Sequence, residues 1–166
     1  MFTIGVDWGM GDATLLSRYG IYCGACYVYR AERDGGEYLG WVAEWQKVKP
    51  EEVHCVGCGG PEEEMWVNCR LCPVRGCLDE KGYRTCAECG EYVGRSCERY
   101  EGLAAFCSRR GEDVWASVAW LSRDPEGWLL EMGERWRCAS CGRMISWYDE
   151  VCHSCGADLG RTVPRP

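Results

Sequence analysis

The fold is decided by the stretch Cys138-Ala139-Ser140-Cys141-Gly142, which is followed by Cys152-His153-Ser154-Cys155-Gly156 after ten residues counted from Cys141. Two residues between paired cysteines let the chain turn so that both sulfur atoms point at one centre, an arrangement called a knuckle. A glycine follows the second cysteine of each pair and supplies the positive φ that closes the turn. We therefore predict that these two knuckles share one four-sulfur metal site.

This pattern resembles the zinc-ribbon module. The segment between the knuckles, residues 143–151, predicts a short hairpin. The resemblance implies zinc held by four thiolates, with no open coordination position, so the metal would be structural rather than catalytic. His153 lies inside the second knuckle, and because four sulfurs complete the shell we expect its ring to face solvent. The predicted ligands are Cys138, Cys141, Cys152 and Cys155.

The same spacing recurs along the chain. Of the 15 cysteines in 166 residues, 12 fall into six C-x-x-C pairs. Cysteine at about 9% of the chain marks a protein that is held together by disulfides or metals rather than by a large apolar core. Cysteine clusters in a reducing compartment are more often metal sites than disulfides. The pairs are Cys23/Cys26, Cys55/Cys58, Cys69/Cys72, Cys86/Cys89, Cys138/Cys141 and Cys152/Cys155.

Helical periodicity fills the space between the cysteines. Tyr38, Trp41, Val42 and Trp45 predict a helix from Glu37 to about Lys47. Other helices are predicted over residues 27–33, up to Lys81, over 98–106, and as a hairpin within 112–135 whose second helix starts at Asp124-Pro125. We predict a small, irregular, metal-stabilised α+β fold of three parts: a Cys-rich domain (19–110), a helical hairpin (111–135) and a zinc ribbon (136–160).

The N-terminal cysteines resemble domain-of-unknown-function family 3795 over about residues 19–157. The resemblance rests on Tyr22-Cys23-Gly24-Ala25-Cys26, Cys55-Val56-Gly57-Cys58, Cys69-x-x-Cys72-x-x-Arg75-x-Cys77, Cys86-Ala87-Glu88-Cys89 and Trp136-Arg137-Cys138. It implies a prokaryotic metal-binding protein with no assigned biochemical role. The candidate ligands are Cys23, Cys26, Cys55, Cys58, Cys69, Cys72, Cys77, Cys86, Cys89 and Cys97, whereas Cys107 is left without a role.

These ten cysteines can complete two four-sulfur sites, so we expect about three metals per chain. We favour one site from Cys23/Cys26 with Cys55/Cys58 and another from Cys69/Cys72 with Cys86/Cys89, in which Cys77 or Cys97 could replace a member. Zinc is the predicted metal. A [4Fe-4S] cluster in the N-terminal domain is the alternative.

Three functions are compatible with this pattern. The first is a zinc-binding accessory or interaction module of unknown pathway. The second is an iron-sulfur protein that transfers electrons or supports a larger anaerobic enzyme. The third is a thiol-disulfide oxidoreductase, because Cys23-Gly24-Ala25-Cys26 precedes a helix whose N-terminus would lower a thiol pKa. The absence of alternating strands and helices disfavours this last reading.

Other classes are disfavoured by composition. The chain has a net charge of -7 and no Lys/Arg stripe that could neutralise phosphates, so we do not expect nucleic acid as a partner. Both histidines, His54 and His153, lie at knuckles, which leaves no free general base, and we assign no catalytic residue. No apolar run approaches the roughly 18 residues of a membrane helix. The stretch from Met1 to Asp7 shows no secretory signal, so we expect a cytoplasmic protein.

The chain is rich in large aromatic residues, with nine Trp and nine Tyr. We predict that some remain exposed and bind a protein partner or a second copy of the chain. The alternative is that these rings pack the ribbon onto the hairpin. The predicted surface consists of Trp115, Trp120, Trp128, Trp136 and Trp147.

Overall fold

The structure is a computed structural model that describes residues 12–163. The stretch from Met1 to Asp7 lies outside the described residues. Within the described range, helices provide the regular structure, linked by short 3-10 turns. None of these helices combines the length and apolar character that crossing a bilayer requires. The helices are α1 Tyr27–Asp34, α2 Gly36–Gln46, α3 Val67–Arg70, α4 Pro73–Lys81, α5 Gly90–Val93, α6 Glu98–Ser108, α7 Val114–Leu121 and α8 Pro125–Arg135.

Local sequence explains where the main helices begin and end. Helix α1 ends at Gly35, which has φ 65°, and α4 ends at Gly82, which has φ 66°. The α7–α8 hairpin is present as predicted, and the Asp124 side chain caps α8 by accepting from the Gly127 amide at 2.9 Å. Pro125 occupies the first turn, where a missing N–H costs nothing. The helical part of the sequence prediction is therefore confirmed.

The β part of the predicted α+β class is much smaller than expected. Residues 12–163 contain three isolated antiparallel bridges and no longer strand: Leu16 with Tyr22, Arg137 with Met144, and Val151 with Asp158. The predicted hairpin over residues 143–151 is replaced by a turn in which the Ser146 amide donates to Asp149 Oδ2 at 2.6 Å. Each C-terminal knuckle is instead closed by its own bridge, because so few residues flank each cysteine pair that no longer ladder can form.

One core joins distant parts of the chain. Leu16, Tyr100, Val118, Trp128 and Tyr148 are each at most 1% exposed and belong to the same buried cluster. The Tyr100 hydroxyl lies 3.0 Å from the Tyr19 carbonyl oxygen and 2.8 Å from that of Val114. A smaller cluster lies between α1 and α2 and includes Val28, Ala31, Tyr38, Val42 and Trp66.

The predicted tryptophan surface is wrong in its main members. Trp128, Trp136 and Trp147 are 0%, 3% and 3% exposed. They share the main core with Ile145 and Tyr148, so the alternative, in which the rings pack the C-terminal segment onto the hairpin, describes them. Burial is favoured because each indole removes a large apolar area from water. Trp115 is half-buried and stacks on Tyr92 at 4.7 Å, which leaves Trp120, at 37%, as the exposed member of the predicted set.

Candidate metal centres

The C-terminal knuckles bring four thiols together. The sulfur atoms of Cys138 and Cys155 lie 3.7 Å apart, as do those of Cys141 and Cys152, and all four lie within 4.8 Å of one another. A tetrahedral site with metal–sulfur bonds of about 2.3 Å has sulfur–sulfur edges of about 3.8 Å. A disulfide would instead bring two sulfurs to about 2.05 Å. The spacing therefore fits a four-thiolate metal shell.

Both knuckles use the same backbone hydrogen bonds. The Cys138 amide donates to the Arg143 carbonyl at 2.8 Å, and the Cys152 amide donates to that of Ala157 at 2.9 Å. Gly142 and Gly156, with φ of 73° and 74°, close the two turns in the region where glycine is favoured. In the first knuckle the backbone N–H groups of Cys141 and Ser140 lower the pKa of Cys138 to about 6. This thiol is prepared for the thiolate form that a metal requires.

The turn between the knuckles anchors this site to the N-terminal region. The Trp147 amide donates to the carbonyl of Ala25, inside the Cys23/Cys26 knuckle, at 3.0 Å. The Tyr38 hydroxyl bonds Ser146 Oγ at 2.5 Å. His153 Nε2 lies 3.0 Å from Asp149 Oδ1, so this nitrogen bonds the buried turn, while the side chain remains 47% exposed.

A second group of thiols lies where the Cys23/Cys26 knuckle meets α3. The Cys58 amide donates to Cys23 Sγ at 3.1 Å, and the Tyr19 hydroxyl donates to Cys58 Sγ at 3.2 Å. Cys69 interacts with the thiols of Cys55 and Cys58. Cys26 and Cys72 complete the group, through electrostatic interaction with Cys58 and with Tyr19. The members of this first thiol cluster are Cys23, Cys26, Cys55, Cys58, Cys69 and Cys72.

Hydrogen bonding divides the protons unevenly in the first thiol cluster. Bonds from Cys23 and Cys69 lower the pKa of Cys58, and the bond from Cys69 lowers the pKa of Cys55 to about 7. Burial raises the pKa of Cys26 to about 12. A cation in this cluster would displace the remaining protons, because metals bind the thiolate form.

Gly57 lets the Cys55/Cys58 knuckle reach this cluster. Its φ is 104°, and a Cβ at this position would lie 2.2 Å from the carbonyl oxygen of Thr14. The Gly59 amide donates to the same oxygen at 3.0 Å, and Arg75 donates to the Cys58 carbonyl at 3.1 Å. The knuckle is therefore held against the segment that precedes Tyr19.

A separate set of thiols interacts electrostatically around Cys86, although no three of its sulfurs, nor of those in the first thiol cluster, lie within 4.8 Å of one another. Burial raises the pKa of Cys86 to about 12, with further contributions from Cys97, Cys77 and Cys89. The backbone N–H of Tyr92 lowers the pKa of Cys89, and Lys81 Nζ lies 3.5 Å from its sulfur. The members of this second thiol cluster are Cys77, Cys86, Cys89 and Cys97.

The predicted combination of Cys69/Cys72 with Cys86/Cys89 stays a prediction, and the thiol interactions do not favour it. Cys69 has Cys55 and Cys58 as its thiol partners, whereas Cys86 interacts with Cys77, Cys89 and Cys97. Helix α4 explains the division, because Cys72 caps it and Cys77 lies five residues further on. Five residues turn an α-helix by about 500°, which leaves the two side chains about 140° apart. The two sulfurs consequently face different clusters.

Cys107 stands apart from the clusters. It is 2% exposed, and burial raises its pKa to about 12, with Glu112 and Arg110 as its charged neighbours. A buried thiol of this kind behaves as a small apolar side chain. Sequence reasoning missed Tyr19 and Lys81, whose side chains hydrogen-bond cluster sulfurs, since nothing in their spacing marks them.

The fold and its thiols define a class: a small, Cys-rich, mainly helical protein with clustered thiols that could hold metal. The family model described as "Protein of unknown function (DUF3795)" matches residues 15–102, and the chain belongs to this family. The match contains both N-terminal thiol clusters and ends before the C-terminal knuckles. Comparisons with curated proteins and with solved structures find no match.

Proposed function

We propose that this protein binds metal at three centres and serves as an accessory or interaction module. The observation that carries the proposal is the C-terminal set of four sulfurs within 4.8 Å of one another. Four thiolates favour zinc among the common cellular metals, and such a closed shell is structural. Residues 136–160 would then form a zinc ribbon, beside the Cys-rich domain (19–110) and the hairpin (111–135).

The remaining two centres are proposed at the two N-terminal thiol clusters. Their sulfurs would have to draw closer around a metal, because within residues 12–163 the C-terminal set alone lies within 4.8 Å. The second thiol cluster offers four sulfurs, enough for one zinc. The first thiol cluster offers six, and Cys23 and Cys55 in it are each 2% exposed. Six ligands exceed the shell of a single zinc ion, so this cluster suits a polynuclear centre.

An iron-sulfur centre is the second candidate. The observation that favours it is the first thiol cluster, in which two thiols are buried and four are half-buried. Cysteine thiolates hold [4Fe-4S] clusters, whose potential depends on burial and on hydrogen bonds to sulfur such as that from Tyr19. The corresponding function is electron transfer or support of a larger anaerobic enzyme. A brown, oxygen-sensitive protein would favour this candidate, whereas a colourless one would favour zinc.

The oxidoreductase reading receives no support from Cys23. Its hydrogen bond to Cys58 and its burial raise the pKa of this thiol, and the side chain is 2% exposed. Reactive cysteines are exposed and have lowered pKa values. We retain the cytoplasm as the proposed compartment, because free thiols persist there. A protein partner or self-association remains part of the proposal, since closed metal shells offer no catalytic position.

Metal analysis of protein purified without oxygen tests the proposal. We expect about three metal centres per chain, with zinc at the C-terminal one. Cys141→Ser should remove one equivalent of zinc and leave the other centres filled. Cys107→Ser is the matched control and should keep the full metal content. A wild-type content of one metal would show that the N-terminal thiols are not ligands, and an unchanged content in Cys141→Ser would contradict the ribbon site.

A further inference from the structure

Four arginines from three separate segments line one cleft of about 340 Å3. Arg109 and Arg110 follow α6, Arg135 ends α8, and Arg161 comes from the segment after the second C-terminal knuckle. Trp136 and Thr162 also line the cleft. The cleft is separate from all three thiol groups, and no family or sequence motif points to it.

These four arginines form no ion pairs with carboxylates within the described residues. Within residues 12–163, none of the four guanidinium groups has a carboxylate oxygen within 4.0 Å. This is unexpected in a chain of net charge -7, in which exposed arginines such as Arg84 form ion pairs. Unpaired cations close together repel one another and gain by meeting an anion.

Neutral groups hold three of the guanidinium groups in place. Arg110 is 7% exposed, donates from Nε to the Tyr148 hydroxyl at 2.8 Å, and lies over the Phe106 ring at 3.7 Å. Arg161 donates from Nε to the Asp149 carbonyl at 2.7 Å, and Arg135 donates to the Gly111 carbonyl. A guanidinium has five N–H donors, so each keeps donors for a ligand.

The nearby carboxylates leave the cleft positive. Glu112 is electrostatically linked to Arg135, and burial raises its pKa to about 7, so it carries only part of a charge near neutral pH. Asp149 is 2% exposed and its two oxygens bond the Ser146 amide and His153. Glu150 accepts from the Val163 amide at 2.8 Å. Asp149 and Glu150 favour the charged form of Arg161 electrostatically, but neither forms an ion pair with the four guanidinium groups within residues 12–163.

We propose that this cleft binds the phosphate group of a small molecule between Arg109, Arg110, Arg135 and Arg161. The planar guanidinium matches phosphate oxygens with paired, charge-assisted hydrogen bonds. The volume suits a small metabolite rather than a polymer, since ligand pockets begin at about 300 Å3. Arg110 and Arg161 provide fixed donors. Arg109 is exposed, its side chain makes no hydrogen bond or ion pair within the described residues, and it closes over the ligand.

Isothermal titration calorimetry on the full metal-loaded chain tests this proposal. Inorganic phosphate and glycerol 3-phosphate are the probes, and together they distinguish free phosphate from a phosphate ester. We expect saturable one-to-one binding of at least one probe, weakened by added salt. Arg109→Gln should weaken it about tenfold through the loss of one charged hydrogen-bond donor.

Arg99→Gln is the matched control, because it makes the same change of charge on α6, ten residues earlier and about 15 Å along the helix. It should leave the affinity unchanged. Arg135→Gln is the second variant and should also weaken binding. Absence of saturable binding by both probes would overturn the proposal, as would equal losses in Arg99→Gln and Arg109→Gln. Preference for succinate would assign the cleft to carboxylates instead, and binding of an RNA oligonucleotide alone would assign it to nucleic acid.

Discussion

At the scale of single residues, glycine and cysteine positions have unequal consequences. Gly57 combines a φ of 104° with a Cβ position 2.2 Å from a backbone oxygen, so no small shift relieves the clash. Gly76 lies within α4, and a Cβ there would meet nothing within 4 Å. The two glycines look alike in the sequence, and the structure alone separates them.

We predict that Gly57→Ala lowers the free energy of unfolding by about 2 kcal/mol or more, because it adds backbone strain to a steric clash. Gly76→Ala is the control and should be neutral or should stabilise by about 0.5–1 kcal/mol, as expected in a helix interior. Urea denaturation of the metal-loaded proteins measures both. Equal stability of Gly57→Ala and wild type would show that the Cys55/Cys58 knuckle is not packed against Thr14.

Glu112 should give the protein a pH-dependent stability. Burial raises its pKa to about 7, while Arg135 and Trp136 favour the ionised form and Cys107 is a further neighbour. The folded state therefore binds more protons than the unfolded state between about pH 4.5 and 7. The contribution of this group is most favourable below that range and is lost as the pH rises through it.

Glu112→Gln should consequently gain stability relative to wild type as the pH rises from 5 to 8. The gain should reach about 3 kcal/mol if the full pKa shift is expressed. The difference between the two proteins is measured at each pH by urea denaturation, so that the metal contribution cancels. Glu101→Gln, on the exposed side of α6, should show no such trend. A parallel pH dependence of wild type and Glu112→Gln would place the carboxyl in contact with water.

At the scale of elements, α4 separates two thiol clusters. Cys72 at its start interacts with the first thiol cluster, and Cys77 within it interacts with the second. We predict that Cys77→Ser and Cys97→Ser alter the same metal centre, whereas Cys72→Ser alters a different one. Cadmium-113 NMR of the cadmium-substituted protein reports each centre as its own resonance. Loss of one common resonance in Cys72→Ser and Cys77→Ser would contradict this division.

The sequence predicts the helices and the C-terminal thiol set, but not the grouping of the N-terminal cysteines. The bounds of α2, α4, α6 and the α7–α8 hairpin follow from local signals such as Gly82 and Asp124-Pro125, and the structure confirms them. The C-terminal four-sulfur set also follows, because both knuckles lie close in the chain. The sorting of the N-terminal cysteines does not, since it depends on which way each face of α4 points.

At the scale of the whole molecule, the burial of the indoles could not be predicted from composition. Trp128, Trp136 and Trp147 come from the hairpin and the C-terminal segment and meet in one core. The core therefore depends on where the C-terminal knuckles dock, through contacts such as Trp147 to Ala25. Removal of metal should loosen this core as well as the knuckles, because structural zinc sites contribute folding free energy directly.

Chelation of the zinc-loaded protein should then shift tryptophan emission to the red. It should also reduce the protection of the indoles from a quencher. Buried indoles that become wet are accessible to an added quencher, and readdition of zinc should restore their protection. Readdition of zinc to the Cys141→Ser variant should restore less of this protection than in wild type. Unchanged quenching after complete metal removal would show that the core holds without its metal centres.

X-ray absorption at the zinc edge of the full chain, purified without oxygen, is the most direct test of the account. The central claim is that clustered cysteines alone hold the metal, as the sulfur spacing at Cys138, Cys141, Cys152 and Cys155 indicates. The account predicts a first shell of four sulfurs at about 2.3 Å with no nitrogen or oxygen. A chain without metal, or a shell containing histidine nitrogen or carboxylate oxygen, would contradict it.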